Sequence, residues 1–477
     1  MDDLKKPPDQ PENKPANVPD TTIKKSDEPM LREYVRQYGQ APPPESVKAR
    51  LTKRLASNAS DSYINDEFFL ALGIIFLVLA FLLDTPRQIW EGSLTILTSP
   101  AVLLTDYIEL GGMGAAFLNV GMMILASLLL IRKHRVLMTG PLIAAVFTVA
   151  GFSFFGKNIY NSIPIALGVF CFAKLTRQPC NRFLVHALFA SALGPLVSLL
   201  TFDLPLPLLP RILLGFATGL FTGFVIPPLA AHFLNFHQGY NLYNIGFTAG
   251  IIGTFFIAVL RALGISVEPV AILSGGNNLF FGVFLGLLFL AILIWGMILS
   301  RGKLAGYLQL LKLKGRLATD FPKINGIGLT LTNMGLLGLV SLAYVLLIGG
   351  ELNGPVIGGI FTVVGFAAYG KHIRNVLPIF GGVLIANLLN IYDPHSTSAL
   401  LATLFGTTLA PIAGRFGPVN GALAGMLHMA LVMNVSYLHG GVNLYNNGFA
   451  GGFIAAAFVP LAEAVILVFQ ARRKPKL

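Results

Sequence analysis

Charge is what this chain has least of. Asp, Glu, Lys and Arg make up 12% of its 477 residues, about half the share typical of a soluble globular protein. That deficit excludes a water-covered surface over most of the chain. Cysteine is scarce as well, with Cys171 and Cys180 alone in 477 residues. They flank a basic loop and have no Cys or His partner at metal-ligand spacing, so neither a disulfide scaffold nor a zinc site is expected. Carboxylates are nearly missing from the long apolar runs. Glu463 lies deep in the last run, and Asp203 and Asp393 sit in loops. Proton-driven pumps place such groups at mid-membrane, and the sequence offers few. GxxxxGK[ST], GxSxG and HExxH are all missing, which argues against ATP-driven transport, serine-hydrolase and zinc-protease chemistry within the chain. No nucleophile with a nearby base can be assembled, so the expectation is no enzyme, no catalytic residue, no metal and no cofactor. No apolar run precedes Phe68. A cleavable signal peptide is therefore not expected, and the first membrane segment would serve as the insertion signal.

What the chain has in abundance is apolar sequence. Hydrophobic residues make up 54% of it. Fourteen apolar segments recur, at about 67–84, 110–131, 137–155, 158–173, 183–201, 210–231, 241–263, 277–300, 326–348, 354–370, 374–391, 399–413, 418–436 and 443–470. Many reach the roughly 20 residues that a helix needs to cross a hydrocarbon core of about 30 Å. The shorter ones, 158–173 and 374–391 above all, could be re-entrant. Residues 88–105, with Trp90 and Pro100, read as interfacial or re-entrant, and 302–319 as their basic amphipathic counterpart. Residues 1–66 form a tail with 11 basic and 11 acidic residues. Its first 30 residues are expected to be disordered, and residues 31–57 could form a short surface helix broken at Pro42-Pro43-Pro44.

The remaining 23 basic residues are scattered between apolar runs, which points to cytoplasmic loops and away from nucleic acid. With the N-terminus in the cytoplasm and fourteen alternating segments, 19 basic residues fall inside and only Arg87, Lys157, Arg211 and Arg261 outside. Both termini are then cytoplasmic, in a multi-pass protein of the cell (plasma) membrane.

The chain also repeats itself. Asn119, Gly121, Gly140, Pro141, Phe147, Thr148, Gly151, Phe152, Gly156, Lys157, Asn161 and Pro164 return 214 positions later as Asn333, Gly335, Gly354, Pro355, Phe361, Thr362, Gly365, Phe366, Gly370, Lys371, Asn375 and Pro378, without a gap. Gly239-Tyr-Asn-Leu-Tyr-Asn-Ile-Gly-Phe247 returns as Gly441-Val-Asn-Leu-Tyr-Asn-Asn-Gly-Phe449. Duplication within a polytopic chain marks many transporters and channels. Seven segments separate each element from its copy. Because seven is odd, the second copy is expected upside down. The loop Arg132-Lys-His-Arg135 is basic while its equivalent around Gly349-Gly-Glu351 is acidic, as inversion requires. The expected architecture is all-α: two inverted seven-segment repeats, 67–275 and 276–477, behind the tail at 1–66.

The Asn-Leu-Tyr-Asn pair is the leading candidate site. Asn241 and Asn244, three apart, would share a helix face, as would Asn443 and Asn446. With the hydroxyls of Tyr243 and Tyr445 they could replace the water around a small polar solute. Singly, each motif reads better as a helix cap with an interfacial tyrosine; the repetition brings a binding role level with that reading. Lys157, Asn161, Lys371 and Asn375 follow a Gly-Phe-rich helix in each copy and could form polar entrances, although a boundary lysine more often snorkels to water. His237 and His439 each precede their motif by four residues and could gate it. Asn119 and Asn333 read as helix-packing residues, and His186, His232 and His428 as packing histidines.

The duplicated Gly-Pro…Phe-Thr-Val…Gly-Phe…Gly-Lys block and the Asn-Leu-Tyr-Asn motif resemble an uncharacterised prokaryotic membrane family with two copies of a domain of unknown function (DUF1576-like). The resemblance covers nearly everything after residue 66 and implies no activity. At fold level only, Asn333-Met-Gly…Gly354-Pro355…Gly365…Gly370 is similar in texture to urea-transporter repeats. The functional expectation is a transporter or channel for a small, largely uncharged polar solute, with its path at the repeat interface. Its partners would be the lipid bilayer, the solute and, as an option, further copies of the chain. Two alternatives stay open. A scaffold or sensor would signal through residues 1–66 and tolerate changes in the polar repeats. A lipid-modifying intramembrane enzyme would need a laterally open groove beside His237 or His439.

Overall fold

In the computed structural model the described residues are 61–473, except 103, 268, 269, 303, 318, 390 and 391. The tail and its expected surface helix thus lie almost wholly outside them. The first half contains α1 (Asp61–Leu83), α2 (Pro86–Thr98), α3 (Tyr107–Gly111), α4 (Met113–Lys133), α5 (Gly140–Phe152), α6 (Ile159–Leu175), α7 (Leu184–Ala190), α8 (Gly194–Phe202), α9 (Leu208–Phe236) and α10 (Asn244–Ala262). The second contains α11 (Asn278–Leu299), α12 (Leu304–Leu310), α13 (Phe321–Asn325), α14 (Ile327–Ile348), α15 (Gly354–Phe366), α16 (Ile373–Leu389), α17 (Thr397–Gly406), α18 (Ala410–Phe416), α19 (Pro418–Val435) and α20 (Asn446–Arg473). The fold is all-α. Short 3-10 turns join α7 to α8 and α17 to α18.

All fourteen apolar segments are helical. Among the described residues, ten helical stretches are long and apolar enough to cross a membrane, and the other four, α5, α6, α15 and α16, are shorter. The sequence marks 158–173 and 374–391 as short; for α5 and α15 it does not, because the apolar runs 137–155 and 354–370 continue past the point where each helix stops. The segment 88–105 resolves into α2, with Trp90 exposed, followed by a non-helical stretch that buries Val102, Thr105 and Asp106.

The shortest members of this set form the centre. α5 and α15 each begin with Gly-Pro, and a proline in the first helical turn forfeits no hydrogen bond. Every residue of α15 is buried, as is every residue of α5 except Pro141. A helix that is apolar all round belongs in a core. The two pack antiparallel. A Cβ at Gly140, the start of α5, would strike the Ala368 carbonyl just past the end of α15, and one at Gly151 would lie 2.8 Å from the Gly358 carbonyl.

Contacts between the halves come in pairs with the roles exchanged. The Gly354 amide donates to Asp106 at 3.0 Å, and the Gly140 amide to Asp320 at 3.1 Å. The Leu242 amide donates to the Thr408 carbonyl at 3.1 Å, and the Leu444 amide to the Ala192 carbonyl at 3.2 Å. Each copy thus uses equivalent residues to bind the other.

Candidate functional site

The break between α5 and α6 carries Lys157, and the break between α15 and α16 carries Lys371. Both breaks are built alike. Gly156 and Gly370 turn the chain at φ +71° and +92°, angles that only glycine adopts readily. The Asn119 amide donates to the carbonyls of Ser153 (2.7 Å) and Lys157 (2.9 Å), and Asn333 does the same to Ala367 (2.8 Å) and Lys371 (2.7 Å). Asn161 accepts from the Asn158 amide at 3.0 Å and donates to Gly156, while Asn375 accepts from the His372 amide at 2.9 Å and donates to Gly370. The four asparagines therefore hold the two breaks in shape. For Asn119 and Asn333 this is a more specific task than general helix packing.

Lys157 is 1% exposed and Lys371 is fully buried, so neither snorkels to water at an open mouth. Lys371 Nζ donates to the Tyr243 hydroxyl at 2.5 Å and to Thr407 Oγ1 at 2.6 Å, and stands 4.5 Å over the Tyr243 ring. Lys157 Nζ donates to Ser191 Oγ and, at 3.2 Å, to the Leu188 carbonyl. Among the described residues neither lysine has a carboxylate partner.

Beside Lys371, six buried rings form one cluster in three repeat-related pairs: Phe152 and Phe366, Phe189 and Phe405, Tyr243 and Tyr445. Tyr243 packs on Phe366 and Tyr445 on Phe152, both at 4.7 Å, and the two tyrosines meet each other at 5.0 Å. Phe189 lies 5.7 Å from Phe366, and Phe405 5.8 Å from Phe152.

The asparagines of the repeated motif are placed differently from expectation. α10 starts at Asn244 and α20 at Asn446. Asn241 and Asn443 therefore precede the helices, and the expected shared helix face does not form. Their amides instead cross to the other half, Asn241 donating to the Gly448 carbonyl at 2.9 Å and Asn443 to the Gly246 carbonyl at 3.2 Å. Each also accepts from the amide two residues on, Tyr243 or Tyr445, which is a turn-forming use of Asn. Asn244 pairs with His237 (3.0 Å) and donates to Ala230, while Asn446 pairs with His439 (2.8 Å) and donates to Val432. All four amides and both histidines fasten the loop that delivers Tyr243 or Tyr445 to the centre. Replacing Asn244 and Asn446 by Leu would break these ties as well as any solute contact.

Four contributors escaped the sequence reading. Ser191, Phe189, Thr407 and Phe405 lie in Leu-Phe-Ala-Ser-Ala-Leu-Gly-Pro195 and Leu-Phe-Gly-Thr-Thr-Leu-Ala-Pro411, which repeat at an offset of 216 instead of 214. Asp106 and Asp320 also went unnoticed, although Thr105-Asp-Tyr107 and Thr319-Asp-Phe321 keep the 214 register.

Helix content, ten candidate spans and a buried polar centre together define a multi-pass helical membrane protein. Residues 85–262 and 299–464 match the family described as Protein of unknown function (DUF1576). These matches cover well over half the chain, one region in each copy, and the chain belongs to that family. No curated protein and no solved structure matches it, and the texture shared with urea transporters finds no support there.

Proposed function

We propose that the chain is a membrane transporter or channel for a small polar solute, with its path along the interface of the two copies and the six-ring cluster as its gate. One observation carries this: each copy buries a lysine, without a carboxylate partner among the described residues, on a break between two short helices at that interface. Burying an ammonium group at membrane depth costs several kcal/mol, and such residues mark solute or ion pathways. Non-helical backbone at that depth is tolerated where protein or a cavity covers it. The rings of Tyr243 and Tyr445 are in contact, so a path through this point opens when they part.

The antiparallel packing of α5 and α15 supports inversion. A two-fold relating antiparallel helices runs across their axes, and helices that stand along the membrane normal would put that axis in the bilayer plane. Whether each α5–α6 pair crosses fully or re-enters, every other loop keeps its side. With the two buried lysines left out, the basic residues still divide eighteen to three in favour of the inside, which supports cytoplasmic termini and a plasma-membrane location.

The topology is tested by single cysteines at Lys133 and Glu351, in a background with Cys171 and Cys180 replaced by Ser. An impermeant thiol reagent applied to intact cells should label one site only. Labelling of both, or of neither until the membrane is permeabilised, puts them in one compartment and ends the inverted arrangement. The function is tested by solute efflux from proteoliposomes holding the full chain. Flux above protein-free vesicles is expected, and a Lys157→Met, Lys371→Met double variant that still inserts and runs monodisperse should lose it. An unchanged rate in that variant removes the lysines from the path.

A further inference from the structure

We infer that an anionic phospholipid docks on the second copy, at the end that the charge distribution marks as cytoplasmic. Its phosphate meets a cluster of Lys312, Lys314, Arg316, Arg374 and Arg415, and its acyl chains lie along α16 and α19. This docking is independent of the transport reading and holds whether or not the chain carries a solute.

One short strap assembles the cluster. Residues 311–317 leave α12 and run past the break between α15 and α16. A Cβ at Gly315 would strike the Gly370 carbonyl, and one at Gly414 the Lys314 carbonyl. His372 Nε2 donates to the Leu313 carbonyl at 2.8 Å. Arg316 Nε donates to the Gln238 carbonyl at 2.5 Å, and its guanidinium stands 5.0 Å over the Tyr240 ring, which stacks on Phe416 at 5.8 Å. The strap cations are thereby held beside Arg415, between Gly414 and Phe416, and beside Arg374, between His372 and Asn375. Lys312, Lys314, Arg374 and Arg415 are exposed, and Arg316 is half-buried. Among the described residues one carboxylate pairs with the five, Glu463 at 3.7 Å from Arg415. The first copy has Thr98, Pro100, Val102, Tyr160 and Leu199 at the matching positions, none of them charged. A cytoplasmic location asks only for basic residues somewhere in the loops. It does not ask that five converge on one seam.

Apolar surface continues from the cations. α16 and α19 pack backbone to backbone. A Cβ at Gly382 would strike the Ala422 carbonyl, and one at Gly425 would lie 2.6 Å from the Ile379 carbonyl. Each helix keeps an exposed apolar stripe, Leu377, Ile385 and Leu388 on α16 and Val419, Leu423 and Leu427 on α19. Arg374 lies one turn ahead of Leu377 on the same face, and Arg415 lies in α18 three residues before α19 begins. The cations therefore stand at the head of both stripes. A soluble anion would use the cations and leave the stripes bare, whereas a phospholipid uses both. Arg forks match phosphate oxygens, and each Lys or Arg near the surface strengthens binding to acidic lipid about fivefold. Five cations against one carboxylate favour a headgroup of net negative charge. A choline headgroup would bring its own ammonium into that field.

The test titrates the full chain in detergent with phosphatidylglycerol or phosphatidylcholine of identical acyl chains, and native mass spectrometry reads the lipid retained. Phosphatidylglycerol should bind roughly tenfold or more tightly than phosphatidylcholine. A Lys314→Gln, Arg374→Gln, Arg415→Gln variant should lose that preference, since three charges at about fivefold each exceed it. The control removes three exposed cations elsewhere on the same side, as Lys133→Gln, Lys174→Gln, Arg177→Gln, and should keep the preference. Equal binding of the two lipids by the unaltered chain overturns the docking without recourse to any variant. An equal loss in both triple variants shows general attraction to the basic side and overturns the cluster. Glycerol 3-phosphate that displaces phosphatidylglycerol at equal concentration shows that the acyl chains add nothing, and overturns the lipid in favour of a free phosphate.

Discussion

Gly151→Leu is expected to abolish the stable assembly of the two halves while leaving membrane insertion intact. Gly151 is where α5 touches α15 backbone to backbone. A Cβ there would lie 2.8 Å from the Gly358 carbonyl oxygen, 2.9 Å from the Gly358 Cα and 3.0 Å from the Phe361 Cβ. The twin contact is as tight, with a Cβ at Gly365 2.6 Å from the Phe147 Cβ. Even a single extra methylene in a packed core costs about 1–3 kcal/mol. A leucine adds four carbons at a point where the neighbour is main chain and cannot rotate away. Small residues are what allow such helices to approach in a membrane, and hydropathy, which governs insertion, would be undiminished. Size-exclusion profiles and thermal unfolding in detergent measure the effect. Gly381→Ala is the control, since nothing lies within 4 Å of its added Cβ. It should be neutral or stabilising by about 0.5–1 kcal/mol through helix propensity. A Gly151→Leu protein as monodisperse and as thermostable as Gly381→Ala would refute the close α5–α15 contact.

Asp106→Ala should be the most damaging single loss of a polar group. The buried carboxylate of Asp106 accepts from the amides of Ile108 (2.9 Å), Gly354 (3.0 Å) and Ser274 (3.1 Å) and from the Ser274 hydroxyl (2.6 Å). It caps α3, meets the N-terminus of α15 in the other copy and ties down the segment leading into α11. Alanine would strand up to four donors, at about 1–3 kcal/mol for each that water cannot reach. The expected fall in stability is several kcal/mol, read as a lower unfolding temperature. Asp320→Ala should cost less. Asp320 accepts from the Gly140 amide at 3.1 Å and the Lys323 amide at 3.4 Å, and pairs with the partly exposed Lys323 ammonium at 3.7 Å. Equal unfolding temperatures for the two variants would show that the Ser274 and Gly354 contacts do not carry the difference.

The same residues show where the sequence was legible. Lys157, Asn161, Lys371, Asn375 and both Asn-Leu-Tyr-Asn motifs stood out because duplication preserved them in register. Ser191 and Thr407 were hidden by a two-residue shift in register, and Asp106 and Asp320 by lying one residue past the stretches 88–105 and 302–319, outside every apolar segment. The roles of the motif asparagines were misjudged for one reason. A spacing of three implies a shared face only if both residues are helical, and where a helix starts is set by what its first turn packs against. Asn241 and Asn443 spend their amides on the carbonyls of the opposite copy, partners some two hundred residues away that no local pattern can reveal.

Composition and periodicity by themselves determined that this is a helical membrane chain, built twice, with fourteen apolar segments and polar residues held at matching places. They suffice because hydropathy and duplication are properties of the chain read one stretch at a time. Only the tertiary structure decided that α5 and α15 stop short as well, that Lys157 and Lys371 are buried, and that Lys371 reaches the Tyr243 hydroxyl while Lys157 bonds Ser191 and the Leu188 carbonyl. These are outcomes of which groups meet in the interior, between stretches distant in the chain. No stretch read by itself specifies such partners, because they lie far apart along the chain.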